Sequence, residues 1–98
     1  MNLPPFSVLM SVYFRENPEY LRASLDSLLK QTVTAAEIVL VKDGPLTDQL
    51  DQVIEEYSSA NEGLFKVIPL PSNAGLGVAL QKGLLQCSYD LVARMDTD

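Results

Sequence analysis

Asp96 and Asp98 stand two residues apart after a short, mostly apolar run, Leu91-Val92-Ala93-Arg94-Met95. Side chains alternate faces in an extended segment, so both carboxylates aim to one side and can share a hard cation. The chain has no histidine and a single cysteine, so the ion such a pair takes is oxygen-seeking Mg2+ or Mn2+. That ion would hold a diphosphate that carboxylates alone repel, and would neutralise charge growing on a leaving group. Asp-x-Asp is a short pattern, however, and two solvated aspartates beside a loop read the same way. Asp43, ahead of Gly44-Pro45, is either an acceptor for a ribose or base N–H or a plain turn residue. Tyr13 can stack on or hydrogen-bond a base, or can be a half-buried aromatic at a strand end. Gly75-Leu76-Gly77 resembles part of a dinucleotide fingerprint, but Leu80 occupies the third glycine position. A tight helix entry capped by Asn73 is the better reading of that loop.

Composition removes other chemistries. Without histidine there is no imidazole acid–base catalysis, no Ser–His or Cys–His pair and no His-bearing metal motif. Seven Lys+Arg against thirteen Asp+Glu leave a net charge of −6, which argues against a nucleic-acid partner, because phosphate binding needs clustered positive charge. A 47% hydrophobic content is enough to build a core. No apolar run approaches the ~20 residues of a membrane-spanning helix. Met1-Asn2-Leu3-Pro4-Pro5 lacks the basic start and long apolar segment of a secretory signal.

The elements that must position these residues follow from hydrophobic spacing. Ser7–Tyr13 reads as a first strand and Glu37–Lys42, with Ile-Val-Leu-Val, as a second one buried on both faces. Phe65–Leu70 and Leu91–Met95 read as a third and a fourth. Asn17-Pro18 announces a helix with Leu21, Leu25, Leu28 and Leu29 on one stripe, running to about Gln31. A second helix carries Leu50, Val53, Ile54 and Tyr57, and a third carries Leu76, Leu80, Leu84 and Cys87 along one face. Cys87 there is a small core residue, and Lys30, Lys66 and Lys82 are solvated. Strands separated by helices should be parallel with right-handed crossovers, giving an α/β, three-layer Rossmann-like half-sheet in the order 3-2-1-4. Ligands bind such sheets outside the carboxyl ends of the strands. That rim gathers Ser11, Tyr13, Asp43, Asn73, Asp96 and Asp98. The fourth strand lies at an open edge, which predicts an edge-strand dimer of this chain.

In order along the chain, five stretches carry a resemblance to family 2 glycosyltransferases of the GT-A fold. They are Ser7–Tyr13, Leu25–Thr32, Val39–Gly44, Asn73–Leu80 and Ala93–Asp98. The set is closest to the bacterial exopolysaccharide subgroup typified by amylovoran-biosynthesis transferases. The resemblance implies inverting transfer of a sugar from a nucleotide donor, usually a UDP-sugar, to a growing polysaccharide or lipid-linked glycan. By position, Ser11, Tyr13 and Asp43 match the residues that hold the uridine, and Asn73 falls beside the nucleotide. Asp96 and Asp98 match the Asp-x-Asp that binds Mg2+ or Mn2+ and the diphosphate. Two positions depart: Lys42 stands where many members have the first aspartate of Asp-Asp-Gly, and Phe14 where many have asparagine. Nothing matches the family's general base, so residues 1–98 read as the nucleotide-sugar-binding half of a longer domain, with the base expected beyond Asp98. The implied setting is cytoplasmic, peripheral to the inner face of the plasma membrane in the full-length protein. The alternative is a non-catalytic α/β nucleotide-binding or interaction domain. A receiver-like module would need acidic residues after the first strand, where Val12-Tyr13-Phe14 stand.

Overall fold

A computed structural model describes residues 4–95, so Asp96 and Asp98 lie outside the described residues. The elements are β1 (Ser7–Val12), α1 (Pro18–Leu29), β2 (Glu37–Lys42), α2 (Asp48–Ala60), β3 (Phe65–Pro69), α3 (Leu76–Leu84) and β4 (Val92–Arg94). The strands form one sheet, parallel as the alternating pattern implies, in the expected half-sheet order β3-β2-β1-β4. β1 ends at Val12, one residue before the expected Tyr13.

Local chemistry sets the helix starts. Asn17 Oδ1 accepts from the backbone N–H of Glu19 at 2.8 Å and of Tyr20 at 3.4 Å, and Pro18 occupies the first turn. Thr47 Oγ1 accepts from Leu50 N–H at 3.3 Å at the start of α2. α3 differs from expectation. Its N-cap is Gly75, with no side-chain cap; Asn73 instead donates from Nδ2 to the Asp43 carbonyl at 3.3 Å.

Period-two alternation divides the core. Val8, Met10, Val12, Ile38 and Leu40 pack beneath Leu21, Leu25 and Leu28 of α1 and Leu50, Val53 and Ile54 of α2. On the opposite face Leu9, Val39 and Val41 meet only Ala79 among fully buried partners, with Leu80, Cys87 and Val92 packed around them. The expected α3 face packs in part: Leu80 and Cys87 join this cluster, Leu76 and Leu84 are exposed, and Ala79 and Gly83 are buried. Small residues at i and i+4 let the helix sit low on the sheet. A Cβ at Gly83 would lie 2.5 Å from Leu9 Cδ1 and 2.7 Å from Val41 Cγ2. Cys87 also moves, out of the helix and into the connection to β4, because α3 ends at Leu84.

Candidate nucleotide-binding cleft

The chain runs β1, β2, β3 outward in one direction and then returns to place β4 on the other side of β1. At the carboxyl ends of the strands this reversal leaves a cleft of about 620 Å³. Ser11 and Tyr13 reach it from the end of β1, Asp43 from β2, Asn73, Gly75, Leu76 and Leu80 from the entry of α3, and Met95 from β4. Four residues singled out in the sequence (Ser11, Tyr13, Asp43 and Asn73) thus share one wall although 62 positions separate the first from the last.

Strand parity explains which side chains arrive. Ser11 continues the face of Leu9, and Asp43 that of Val39 and Val41, so both fall on the α3 side of the sheet. Lys42 has the opposite parity and turns toward α2, where its Nζ meets Asp51 Oδ1 at 2.9 Å. The lysine at this departure position therefore leaves the Asp43 side of the sheet undisturbed.

Asp43 is 3% exposed. Its Oδ1 accepts from Ala74 N–H at 2.7 Å and its Oδ2 from Gly75 N–H at 3.2 Å. The carboxylate thus clamps the β3–α3 loop, a role that neither sequence alternative contained. Each carboxylate oxygen accepts about two hydrogen bonds, so acceptor capacity remains for a ligand N–H. Gly44 makes the clamp sterically feasible: its φ is +88°, and a Cβ there would stand 2.6 Å from the Asn73 nitrogen. Gly44 is a site-forming residue that the sequence showed in the Asp-Gly-Pro turn and in the Val39–Gly44 stretch, without its steric role. The glycine of Asp43-Gly44-Pro45 was the available signal, but the loop it abuts lies about 29 positions away.

The cleft mouth is aromatic. Tyr13 and Phe14 are both exposed and meet edge to face, with ring centroids 6.0 Å apart at 77°. The Arg15 guanidinium lies over the Phe14 ring, 5.4 Å from its centroid. Glu16 and Leu80 also line the cleft and carried no sequence signal for it.

Among the described residues no group of three or more His, Cys, Asp or Glu side chains could hold a metal ion. The Asp43 carboxylate is directed at two amides rather than at open space. The described residues therefore do not by themselves fit a divalent cation. Cys87 is no substitute: burial, and then the nearby Glu37 charge, raise its thiol pKa, leaving it protonated and inert near neutrality.

A parallel sheet with its polar rim at a switch point is the architecture of a nucleotide-binding α/β domain, and solved structures share it. A mannosyltransferase from Pyrobaculum calidifontis in complex with GDP-Man and Mn2+ superposes with a TM-score of 0.82 at 19% identity, covering 97% of this chain and 28% of that one. TarS of S. aureus, residues 1–349, superposes with a TM-score of 0.77 at 33% identity, covering 97% and 28%. The glycosyl transferase family 2 model matches residues 7–98, and the chain belongs to that family. An uncharacterized glycosyltransferase of Haemophilus influenzae is 53% identical over 95% of this chain and 34% of its own length. The amylovoran biosynthesis glycosyltransferase AmsE of Erwinia amylovora is 50% identical over the same shares. The UDP-Gal:alpha-D-GlcNAc-diphosphoundecaprenol beta-1,3-galactosyltransferase of Escherichia coli is 41% identical over 97% of this chain and 34% of its own. The chain spans about a third of the length of these relatives.

Proposed function

We propose that this chain is the donor-binding portion of an inverting glycosyltransferase that moves a sugar from a nucleotide-sugar, a UDP-sugar in particular, to a polysaccharide or lipid-linked saccharide. The observation carrying this reading is the convergence of Ser11, Tyr13, Asp43 and Asn73 on one cleft of about 620 Å³, a volume suited to a small ligand. In this reading the Tyr13 ring stacks on the base and Asp43 accepts its imide N–H through the lone pairs the loop leaves free. Ser11 and Asn73 supply hydroxyl and amide contacts to the nucleoside. A Mn2+ or Mg2+ ion, held by Asp96 and Asp98, would supply charge neutralisation at the diphosphate. The E. coli relative, whose name carries both a UDP-sugar and a diphosphoundecaprenol acceptor, supports this choice of donor and acceptor classes. The base that deprotonates the acceptor hydroxyl is assigned to the part of the relatives' length outside this chain, and the reaction to the cytoplasmic face of the membrane.

Calorimetric titration of UDP into the 98-residue chain, with and without Mn2+, tests the site. Binding that tightens with Mn2+ is expected, and replacing Asp96 and Asp98 together by asparagine should abolish the metal dependence. Absent or metal-independent binding to a folded sample would count against the reading. The chain alone is expected to show no sugar transfer. The outer edge of β4 pairs with no other strand among the described residues, so a second copy is assigned to it; a strict monomer by light scattering at high concentration would overturn that assignment.

A further inference from the structure

β4 is three residues long, with Val92 half-buried and Ala93 and Arg94 exposed. A strand's register is normally set by its buried face, and this one has almost none. β4 nevertheless pairs in a single register, Ser7 with Val92, Val8 with Ala93 and Leu9 with Arg94. Bonds close it at both ends, Ser7 N–H to the Leu91 carbonyl at 2.9 Å and Met95 N–H to the Leu9 carbonyl at 3.0 Å.

The connection from α3 into β4 is tied down at Ser88. Its backbone N–H donates to Glu37 Oε2 at 2.5 Å and its hydroxyl to Glu37 Oε1 at 3.1 Å. The same buried carboxylate accepts the Ser7 hydroxyl at 2.5 Å. Lys66 Nζ stands 3.7 Å from Glu37 Oε1 and donates to the Gln86 carbonyl at 2.8 Å. Glu37 therefore joins the first residue of β1, the partner of Val92, to the loop four residues ahead of β4. All of this lies at the end of the sheet opposite the cleft.

We infer that Glu37 is a positioning residue that fixes the register of β4 on β1, and through it the placement of Met95 in the cleft wall. A one-residue slip would carry every β4 side chain to the other face of the sheet. The Ser7 hydroxyl and the Ser88 N–H share Oε2, while the Ser88 hydroxyl and Lys66 face Oε1, so both oxygens are engaged. A glutamine could keep both Oε2 donors on its carbonyl and donate to the Ser88 hydroxyl, losing the Lys66 pairing, whereas a methionine of the same length removes every acceptor. The link from register to ligand binding rests on the nucleotide reading above; the link from Glu37 to register does not.

Amide hydrogen exchange on this chain separates the two. In Glu37→Met, exchange at Met95 should accelerate by about tenfold relative to Leu70, whose N–H bonds the Lys42 carbonyl at 2.9 Å on the other side of the sheet. UDP affinity should fall several-fold with it. An unchanged Met95-to-Leu70 ratio, as from uniform destabilisation, overturns the inference. Lys66→Met and Ser88→Ala each remove one arm of the network, and if Glu37→Met fails to fold the same ratio in these milder variants decides. If the unmodified chain does not bind UDP, the nucleotide reading fails while the exchange ratio still tests Glu37.

Discussion

Asp43 illustrates how one side chain can clamp a loop and, in the proposed function, hold a ligand as well. Its two oxygens receive the Ala74 and Gly75 amides, so Asp43→Asn would set an N–H2 against one N–H donor. We expect a stability loss of about 1–3 kcal/mol, read by urea denaturation, together with loss of UDP binding. Its place at a strand end was legible, since parity and the Asp-Gly-Pro turn are local. Its partners were not, because they lie 31 and 32 residues away. Glu37 makes a pH prediction. Burial alone would raise its pKa, but hydrogen bonds from Ser7 and Ser88 and the charge of Lys66 outweigh burial and lower it. A carboxylate whose folded pKa lies below its unfolded value stabilises the fold above that unfolded value. This contribution is lost as pH falls through the folded pKa, below the ordinary glutamate range of about 4.3. Cys87, also near this carboxylate, stays neutral across that window. Acid unfolding of Glu37→Gln should therefore show a shallower pH slope than the unmodified chain.

At the scale of elements, strands and the first two helices were readable because their apolar spacing coincides with their burial. Leu21, Leu25 and Leu28 are all inside, as are Leu50, Val53 and Ile54. α3 breaks that coincidence. Leu76 and Leu84 point out, and beside the half-buried Leu80 its contact face is made of Ala79 and Gly83, which carry too little hydrophobic signal to be found by periodicity. Gly83→Ala should accordingly destabilise the fold by about 1–3 kcal/mol in thermal or urea melts, because the added methyl meets Leu9 and Val41. Conversion of an exposed neighbour such as Leu84 to a polar residue should cost far less. Between α1 and α2 the Tyr57 hydroxyl donates to Asp26 Oδ1 at 2.5 Å, and burial followed by that carboxylate raises the tyrosine pKa. Tyr57→Phe should lower stability by about 1–2 kcal/mol without changing UDP affinity, since the pair lies on the face away from α3.

For the molecule as a whole, the parallel sheet was legible from alternation, and the strand order and the rim that gathers the polar loops from the pattern of nucleotide-binding half-sheets. The depth of the cleft was not, because it depends on how low α3 sits. The two faces of the sheet are also unequal: among the described residues eleven buried hydrophobics form the cluster under α1 and α2, against four on the α3 face. This asymmetry implies a sequence in time. The β1-α1-β2-α2-β3 portion carries most of the burial that drives collapse and should form first. α3 and β4 would then dock onto a finished template and be the first to detach. The cleft would be the last feature to appear on folding, and a nucleotide bound there would latch the late-arriving third of the chain onto the early one.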